Sequence, residues 1–486
     1  MIGPRGDHQR TTAGQIVYTP AMSLDSEMKA RTINGVNPAT GASLLPVTCT
    51  TPGELKATVA RARTASGEWA ATSFEDRAAA LRSFCKSLSS AEVIEELAST
   101  MTSEMGKPLE QARGELRSVG PRMEGLIDRA RQACVDEETN EGQISVTVQW
   151  RPMGVAAVIA PWNYPVSTPN NLIVSALLTG NSVVFKPSEV TPRTGALYYE
   201  LLRAALPAGV CGLVQGEGDI GAALVASDVD IVAFTGSVST GQRIMKAAAD
   251  RMCRLVLELG GKDPMIVMRG ADLHAAAAHA VRESVRNSGQ VCVAVERVFV
   301  DEAIHDKFMD LVRDEVAKVT VGDPRTEGIT MGPMSSAQQR NLVLEHLDDA
   351  RARGGIFVHE HKTWEPGHFL SPAVVTGVTE EMRLAREETF GPVVAVSTFH
   401  DVEDALGRAN ASPFGLGASV WGGENDDPEG VADRVNAGMV GINRGLSAAA
   451  GAPWVGWKQS GLGYTRSVAG MRTFLQPRTK TRKIGA

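Results

Sequence analysis

Residues 155–186 read VAAVIAPWNYPVSTPNNLIVSALLTGNSVVFK. Two short apolar runs, at 155–160 and 182–186, bracket a helical stretch at 168–179. Both runs are continuous rather than alternating. That marks strands buried on both faces, which requires a parallel sheet covered by helices. The pattern repeats outward, with CGLV at 211–214 and IVAFT at 231–235 separated by helical stretches at 193–205 and 240–250. Right-handed crossovers then give a doubly wound unit. A second series is read from near Leu255, with strands at 265–268, 297–300, 392–397 and 417–421 and helices at 272–286, 303–318, 335–353 and 401–410. Paired Gly260 and Gly261 mark the boundary. The fold class predicted is α/β, with two doubly wound parallel-sheet domains.

The flanks have other signatures. Residues 52–138 are rich in Ala, Leu, Glu and Arg and read as helix. In QISVTVQW (143–150), Ile144, Val146 and Val148 alternate with polar residues, which predicts a half-exposed antiparallel strand standing apart from the sheets. Residues 1–30 are polar and patternless and read as a loosely held arm.

Length and charge narrow the function. A chain of 486 residues is too long for one small core. Its 49 Lys+Arg against 56 Asp+Glu leave a net charge of −7, so no basic excess is available for nucleic acid. No apolar stretch reaches the ~20 residues of a membrane span. The first residues carry Arg5, Asp7, His8 and Arg10 with no apolar run, so no secretory signal is expected. Six scattered cysteines form no C-x-x-C pair, which predicts neither a zinc site nor a disulfide framework and suits a reducing cytoplasm.

Several strand ends carry chemistry. Open parallel sheets bind ligands beyond the carboxyl ends of their strands. Phe234 leads into Thr235, Gly236 and Ser237, then a helix whose N-terminus suits a pyrophosphate, although no G-x-G-x-x-G fingerprint is present. Lys186, Pro187, Ser188 and Glu189 end another strand. Lys186 suits ribose hydroxyls or a phosphate, and Glu189 suits a ribose 2′-hydroxyl while repelling a 2′-phosphate. Cys292 follows small and polar residues, which suits an exposed loop thiol, although a lone cysteine is by default a buried small hydrophobe. Glu258, between Leu257 and Leu259, is predicted to be partly desolvated, which raises a carboxylate toward the range of a general base. Asn163, in a loop clamped by Pro161 and Pro165, offers a rigid amide to a developing oxyanion. Each of these also has a structural reading as a turn, an ion-paired strand end or a buried thiol.

Taken together, PWNYP (161–165), KPSE (186–189), FTGS (234–237), LELGGK (257–262), GQVC (289–292) and EETFGPV (387–393) strongly resemble the NAD(P)-dependent aldehyde dehydrogenase superfamily over residues 35–480. The resemblance implies NAD-dependent oxidation of an aldehyde to a carboxylic acid. Cys292 matches the nucleophile, Glu258 the general base and Asn163 an oxyanion donor. Trp162, Lys186, Ser188, Glu189, Phe234, Gly236, Ser237, Glu388 and Phe390 match cofactor contacts, and Glu189 implies NAD rather than NADP. No metal is implied.

The resemblance also divides the chain. It implies a cofactor domain at 31–138 and 153–257, a catalytic domain at 258–445 and an antiparallel oligomerisation flap from 139–152 and 470–486. Residues 446–469 form a substrate loop and return to the cofactor domain. The partners implied are a small-molecule aldehyde and copies of the chain itself, as a homodimer or a tetramer of two dimers. Alternatives are a CoA-acylating dehydrogenase or acyl reductase, against which Glu258 counts, and a non-catalytic member.

Two departures bear on the substrate. Thr465 stands where the family commonly has an acid, and Trp454 replaces the usual phenylalanine. The chain looks most like the succinate-semialdehyde-type branch, yet Asn171 stands at that branch's carboxylate-binding arginine. Arg444 is the only charge near the small-residue loop 445–452. These features predict a bulkier or more apolar aldehyde, and they do not support an aromatic cage for a quaternary ammonium.

Overall fold

The computed structural model describes residues 31–446 and 451–484. The arm read at 1–30, part of the small-residue loop and the last two residues lie outside the described residues. After a short antiparallel pair, Thr32–Ile33 with Val47–Thr48, come five helices: α1 (Pro52–Ala71), α2 (Phe74–Leu88), α3 (Ala91–Met105), α4 (Leu109–Arg117) and α5 (Met123–Ala133). Side chains set the first three starts. Thr51, Ser73 and Ser90 accept from the backbone N–H three residues on, and Glu54 answers Thr51 in a capping box. Leu81, Phe84, Leu97 and Met101 from these helices pack with Phe185 and Tyr198 in one core cluster. Full burial of one such apolar side chain contributes about 1.5–3 kcal/mol.

Composition predicts helix as far as Glu138, but β1 (Glu137–Glu141) is already strand. Its sequence, EETNE, is polar throughout and has no local strand signal. It is a strand because β2 (Ile144–Pro152), the alternating segment, offers it an antiparallel partner.

The first α/β series then runs β3 (Val155–Ile159), α6 (Ser167–Leu178), β4 (Ser182–Lys186), α7 (Pro192–Ala205), β5 (Cys211–Leu213), α8 (Gly218–Ala226), β6 (Ile231–Thr235), α9 (Val238–Ala249) and β7 (Arg254–Glu258). The strands are mutually parallel, and β3 lies between β4 and β6. β7 is the parallel neighbour of β6, so the run from Leu255 closes the first sheet rather than opening the second. Val256 and Leu257 bury into the first sheet's two cores, and this decides the matter.

The second series starts at β8 (Asp263–Val267) and continues through α10 (Leu273–Val285), β9 (Val295–Asp301), α11 (His305–Val316), α12 (Ala337–Ala352), β10 (Ile356–His359), β11 (Ala373–Thr376), β12 (Val393–Phe399), α13 (Val402–Asn410), β13 (Gly417–Trp421) and β14 (Met439–Ile442). Its sheet has the order β10-β11-β12-β9-β8-β13-β14, parallel except at the β10 edge.

The chain finally returns to the first unit. β15 (Trp454–Val455), β16 (Gly461–Leu462), β17 (Tyr464–Thr465), α14 (Val468–Arg472) and β18 (Leu475–Lys483) follow in turn. β16 adds to β7 antiparallel, with Gly461 opposite Glu258, and completes the order β16-β7-β6-β3-β4-β5. β15 and β17 form a two-stranded ribbon, and β18 pairs along the whole of β2. Thus β18-β2-β1 is the small antiparallel flap. No helix among the described residues is long and apolar enough to cross a membrane.

Candidate active site

Cys292 sits between a short turn, Arg286–Gly289, and β9. The turn is strained: Asn287, Ser288 and Gly289 all have positive φ, at 52°, 59° and 73°. Such conformations cost of order 1–3 kcal/mol at non-glycine residues and persist only where the surroundings impose them. Here the Asn287 N–H donates to Gln111 Oε1, and Ser288 Oγ donates to the Gly332 carbonyl. The buried Gln290 amide donates to Asn287 O and accepts from Ser335 N–H. A side chain at Gly289 would strike the Gly391 carbonyl. The GQVC motif is therefore scaffolding that aims the thiol.

That thiol is half-buried, between the exposed loop thiol and the buried hydrophobe that the sequence left open. Burial pushes it up to about 12. The carboxylates of Asp263, Glu258 and Glu388 add to this, and Arg286 opposes it. Its acidity is thus far from that of an ordinary loop cysteine, first because it is desolvated and then because three carboxyl groups that are remote in sequence meet around it. It needs a base to become a thiolate.

Asn163 is buried beside this turn. Its Nδ2 donates to the Gln290 carbonyl at 3.0 Å, and its Oδ1 accepts from the Tyr164 N–H at 3.0 Å. The amide is locked in orientation, and one of its two N–H donors remains unassigned. The loop is held from below. Glu115 Oε1 accepts from the N–H groups of Val166 and Ser167, and Lys107 Nζ lies 3.9 Å from the centre of the Tyr164 ring.

Glu258 ends β7. Thr465 Oγ1 donates to its Oε1 at 2.6 Å, and Thr235 Oγ1 donates to its Oε2 at 3.2 Å. Burial raises this carboxyl above its ordinary value of 4.5, while the Thr465 bond, the Arg466 charge and the Thr235 bond hold it down. The position at which the sequence lacks an acid thus supplies a hydroxyl donor to the candidate base.

The first sheet reverses its strand order between β3 and β6, the crevice where open sheets take ligands. Trp162 follows β3, and its ring meets Phe390 edge-on at 5.6 Å. Lys186, at the end of β4, is buried. Its Nζ donates to Pro187 O at 3.1 Å and lies 3.6 Å from Glu189 Oε2. Ser188 Oγ accepts from the Val190 N–H, and the Glu189 carboxylate stays exposed. Ser237 caps α9 by accepting from the Thr240 N–H. Phe234 departs from expectation. Its ring is buried in the core beneath Gly236, where any added Cβ would come within 2.4 Å of it. It shapes the turn and leaves the backbone of Gly236 open to a close approach. Glu388 Oε1 accepts from the Gly261 N–H at 3.0 Å, and burial raises its carboxyl to about 8. A bare glycine turn, a capped helix N-terminus and a buried lysine beside an exposed carboxylate fit a dinucleotide.

The sequence matches the aldehyde dehydrogenase family over residues 25–480. The chain belongs to the aldehyde dehydrogenase family. A betaine aldehyde dehydrogenase of Brucella melitensis is 34% identical over 465 residues, which is 93% of each chain. The NAD-dependent aldehyde dehydrogenase of Sinorhizobium meliloti superposes with a TM-score of 0.90 at 34% identity, covering 94% of this chain and 92% of that one. A betaine aldehyde dehydrogenase of Staphylococcus aureus in complex with NAD+ superposes at 0.89 with 32% identity, covering 94% and 92%. The protein is accordingly an NAD(P)-dependent oxidoreductase that oxidises an aldehyde.

This aldehyde dehydrogenase has its own residues where the substrate group was expected. Asn171 is buried on α6, and Arg444 is exposed just beyond β14. Trp454 lies on β15, and the Arg466 guanidinium stacks 4.4 Å from the centre of its ring. Arg466 and Arg286 both act on Cys292, and neither was legible as a site residue. Arg466 follows the Thr465 departure directly, which is the only local signal that could have found it.

Proposed function

We propose that Cys292 is the nucleophile, Glu258 the base and Asn163 the oxyanion donor of an NAD-preferring, hydrolytic aldehyde dehydrogenase. The observation that carries this reading is the convergence of the Glu258 carboxylate and the Cys292 thiol in one desolvated group. Glu258 takes the thiol proton, directly or through water. The sulfur then bonds to the aldehyde carbon, and the carbonyl oxygen becomes an oxyanion held by Asn163 Nδ2–H and the Cys292 backbone N–H. Such donors act in the transition state. Collapse of this thiohemiacetal breaks the C–H bond and leaves a thioester on Cys292. Bound NAD supplies the hydride acceptor. Glu258 passes that first proton to solvent and then removes one from water, which attacks the thioester; the carboxylic acid leaves, and the proton on Glu258 returns to the sulfur to restore the thiol.

Lys186 and Glu189 would hold the adenosine ribose, with the Glu189 charge excluding a 2′-phosphate. Trp162, Ser188, Gly236 and Ser237 would line the path to the pyrophosphate. Glu388 and Phe390 would lie at the nicotinamide end. The flap β18-β2-β1 has an exposed outer strand on each side, β18 of nine residues and β1 of five, which suits assembly into a homodimer or a pair of dimers. Six free cysteines suit a reducing cytoplasm.

Pre-steady-state NADH formation tests the reading. Replacing Cys292 by Ser should abolish the signal. Replacing Glu258 by Gln should slow turnover by about 10²- to 10⁴-fold while a burst of NADH survives when the protein starts from the thiolate at high pH. Full turnover by Cys292→Ser, or acyl-CoA as the main product when coenzyme A is added, would overturn it.

A further inference from the structure

Arg466 occupies a strained position beside the catalytic carboxylate. It has φ +70°, in the left-handed region, and it directly follows Thr465, whose hydroxyl is bonded to Glu258. The ribbon that pairs Trp454 with Thr465 brings the Trp454 ring under the guanidinium. The fork's plane is thereby fixed by stacking rather than by a carboxylate.

Two more arginines stand behind it. α14, which starts two residues after Arg466, packs on α5. Arg129 is on α5 and Arg122 lies just before it. Burial lowers the proton affinity of Arg466. Repulsion from Arg122 and Arg129 acts in the same sense, and attraction to Glu258 and Cys292 opposes it. The Nε of Arg129 is buried without a hydrogen-bond partner. Among the described residues, none of the three guanidinium groups has a hydrogen bond or ion pair to a carboxylate, unlike Arg113 or Arg131 nearby. Arg122 is exposed, but Arg466 and Arg129 are partly buried, and desolvated cations are ordinarily paired. Glu258, the carboxylate that attracts Arg466, is already bonded by two threonines, and Arg129 has only its chain neighbour Asp128 to offset it.

We propose that Arg466, backed by Arg129 and Arg122, is an anion subsite, and that the aldehyde this enzyme takes carries a carboxylate remote from its carbonyl. The proposal rests on the active-site reading above and names its substrate class. A planar guanidinium held by stacking matches a carboxylate with two parallel donors. The same arrangement rejects a cation: a trimethylammonium group would meet positive charge, and the Trp454 face that would otherwise attract it is already taken by Arg466. The arginine that the sequence lacks at Asn171 is thus replaced from another part of the fold. On this reading the aldehyde is charged at its far end rather than more apolar.

The test uses three aldehydes of equal chain length, ending in a methyl, a carboxylate and a trimethylammonium group. The full-length enzyme should show the highest kcat/KM for the carboxylate and the lowest for the ammonium. Arg466→Met should cost the carboxylate substrate about tenfold to a hundredfold more than the neutral one, with the difference mostly in KM. Calorimetry without turnover gives a second readout. A dicarboxylate should bind the enzyme more tightly than the matching monocarboxylate, and Arg466→Met should erase the difference. Should that variant fail to fold, Arg129→Met and the ranking on the unaltered enzyme decide.

Equal or better turnover of the neutral aldehyde, or an equal loss for all three with a shifted pH profile, would reduce Arg466 to a structural partner of Glu258 and overturn the subsite. Dicarboxylate binding with no aldehyde oxidised would instead overturn the active-site reading and leave the subsite standing.

Discussion

Thr465 Oγ1 donates to Glu258 Oε1 at 2.6 Å, across 207 residues of sequence. The bond forms because β16 returns to the edge of the first sheet with Gly461 opposite Glu258, and Thr465 follows on the next strand. A hydroxyl there stabilises the charged carboxylate without adding a charge of its own, whereas a second acid would raise the proton affinity of Glu258.

Thr465→Val should therefore raise the Glu258 pKa. Removing a donor to the ionised form is worth about half to one pH unit. Water activation needs the deprotonated base, so rate is lost as pH falls through this pKa. The acid limb of thioester hydrolysis should move to higher pH in the variant. A rapid-mix pH profile of the deacylation step measures it, and an unmoved or lowered limb would contradict the role given to this bond.

Asn163→Ala should lower kcat by about 10²- to 10³-fold, the usual consequence of losing one oxyanion donor. Binding of NAD, followed by quenching of tryptophan fluorescence, should hardly change. The Gln290 carbonyl would keep its bond from Asn287 Nδ2, so the turn that carries Cys292 should survive. A small kcat effect with a large loss of Cys292 alkylation would show that Asn163 only shapes the turn.

Glu189→Gln should narrow the preference for NAD over NADP by about fivefold or more, through removal of one carboxylate from the neighbourhood of a 2′-phosphate. The change should appear in the KM of NADP. An unaltered enzyme with a lower KM for NADP than for NAD would refute the assignment outright.

Asp263→Asn should stabilise the protein increasingly as pH rises. Burial holds the Asp263 carboxyl at about 8 against an ordinary 3.8, and its Oδ2 has no hydrogen-bond partner. In the native state the group stays protonated up to about pH 8, whereas the unfolded chain releases the proton from about pH 3.8 upward. Its contribution to stability is complete below 3.8 and is lost as pH rises through 8. The amide keeps an acceptor for the Gly417 N–H and carries no charge. The gap in Tm between variant and parent should widen across that interval and then level off. A gap independent of pH would mean that the carboxyl is ionised throughout.

The sequence by itself determined the parallel sheets and the named motifs. Runs such as 155–160, 182–186 and 231–235 advertise burial on both faces, and a loop such as PWNYP or GQVC carries its geometry in adjacent residues. Only the tertiary structure decided the rest. Glu137–Glu141 became a strand through its partner, Arg254–Glu258 joined the first sheet through packing, and Phe234 turned inward beneath Gly236. The high proton affinity of Cys292 and the bare positive charge around Arg466 arise from side chains far apart in the chain that meet at strand ends. Periodicity records how each residue faces its own element. Electrostatics depends on every charge within reach and on the water excluded between them, and neither is fixed until the sheets close on one another.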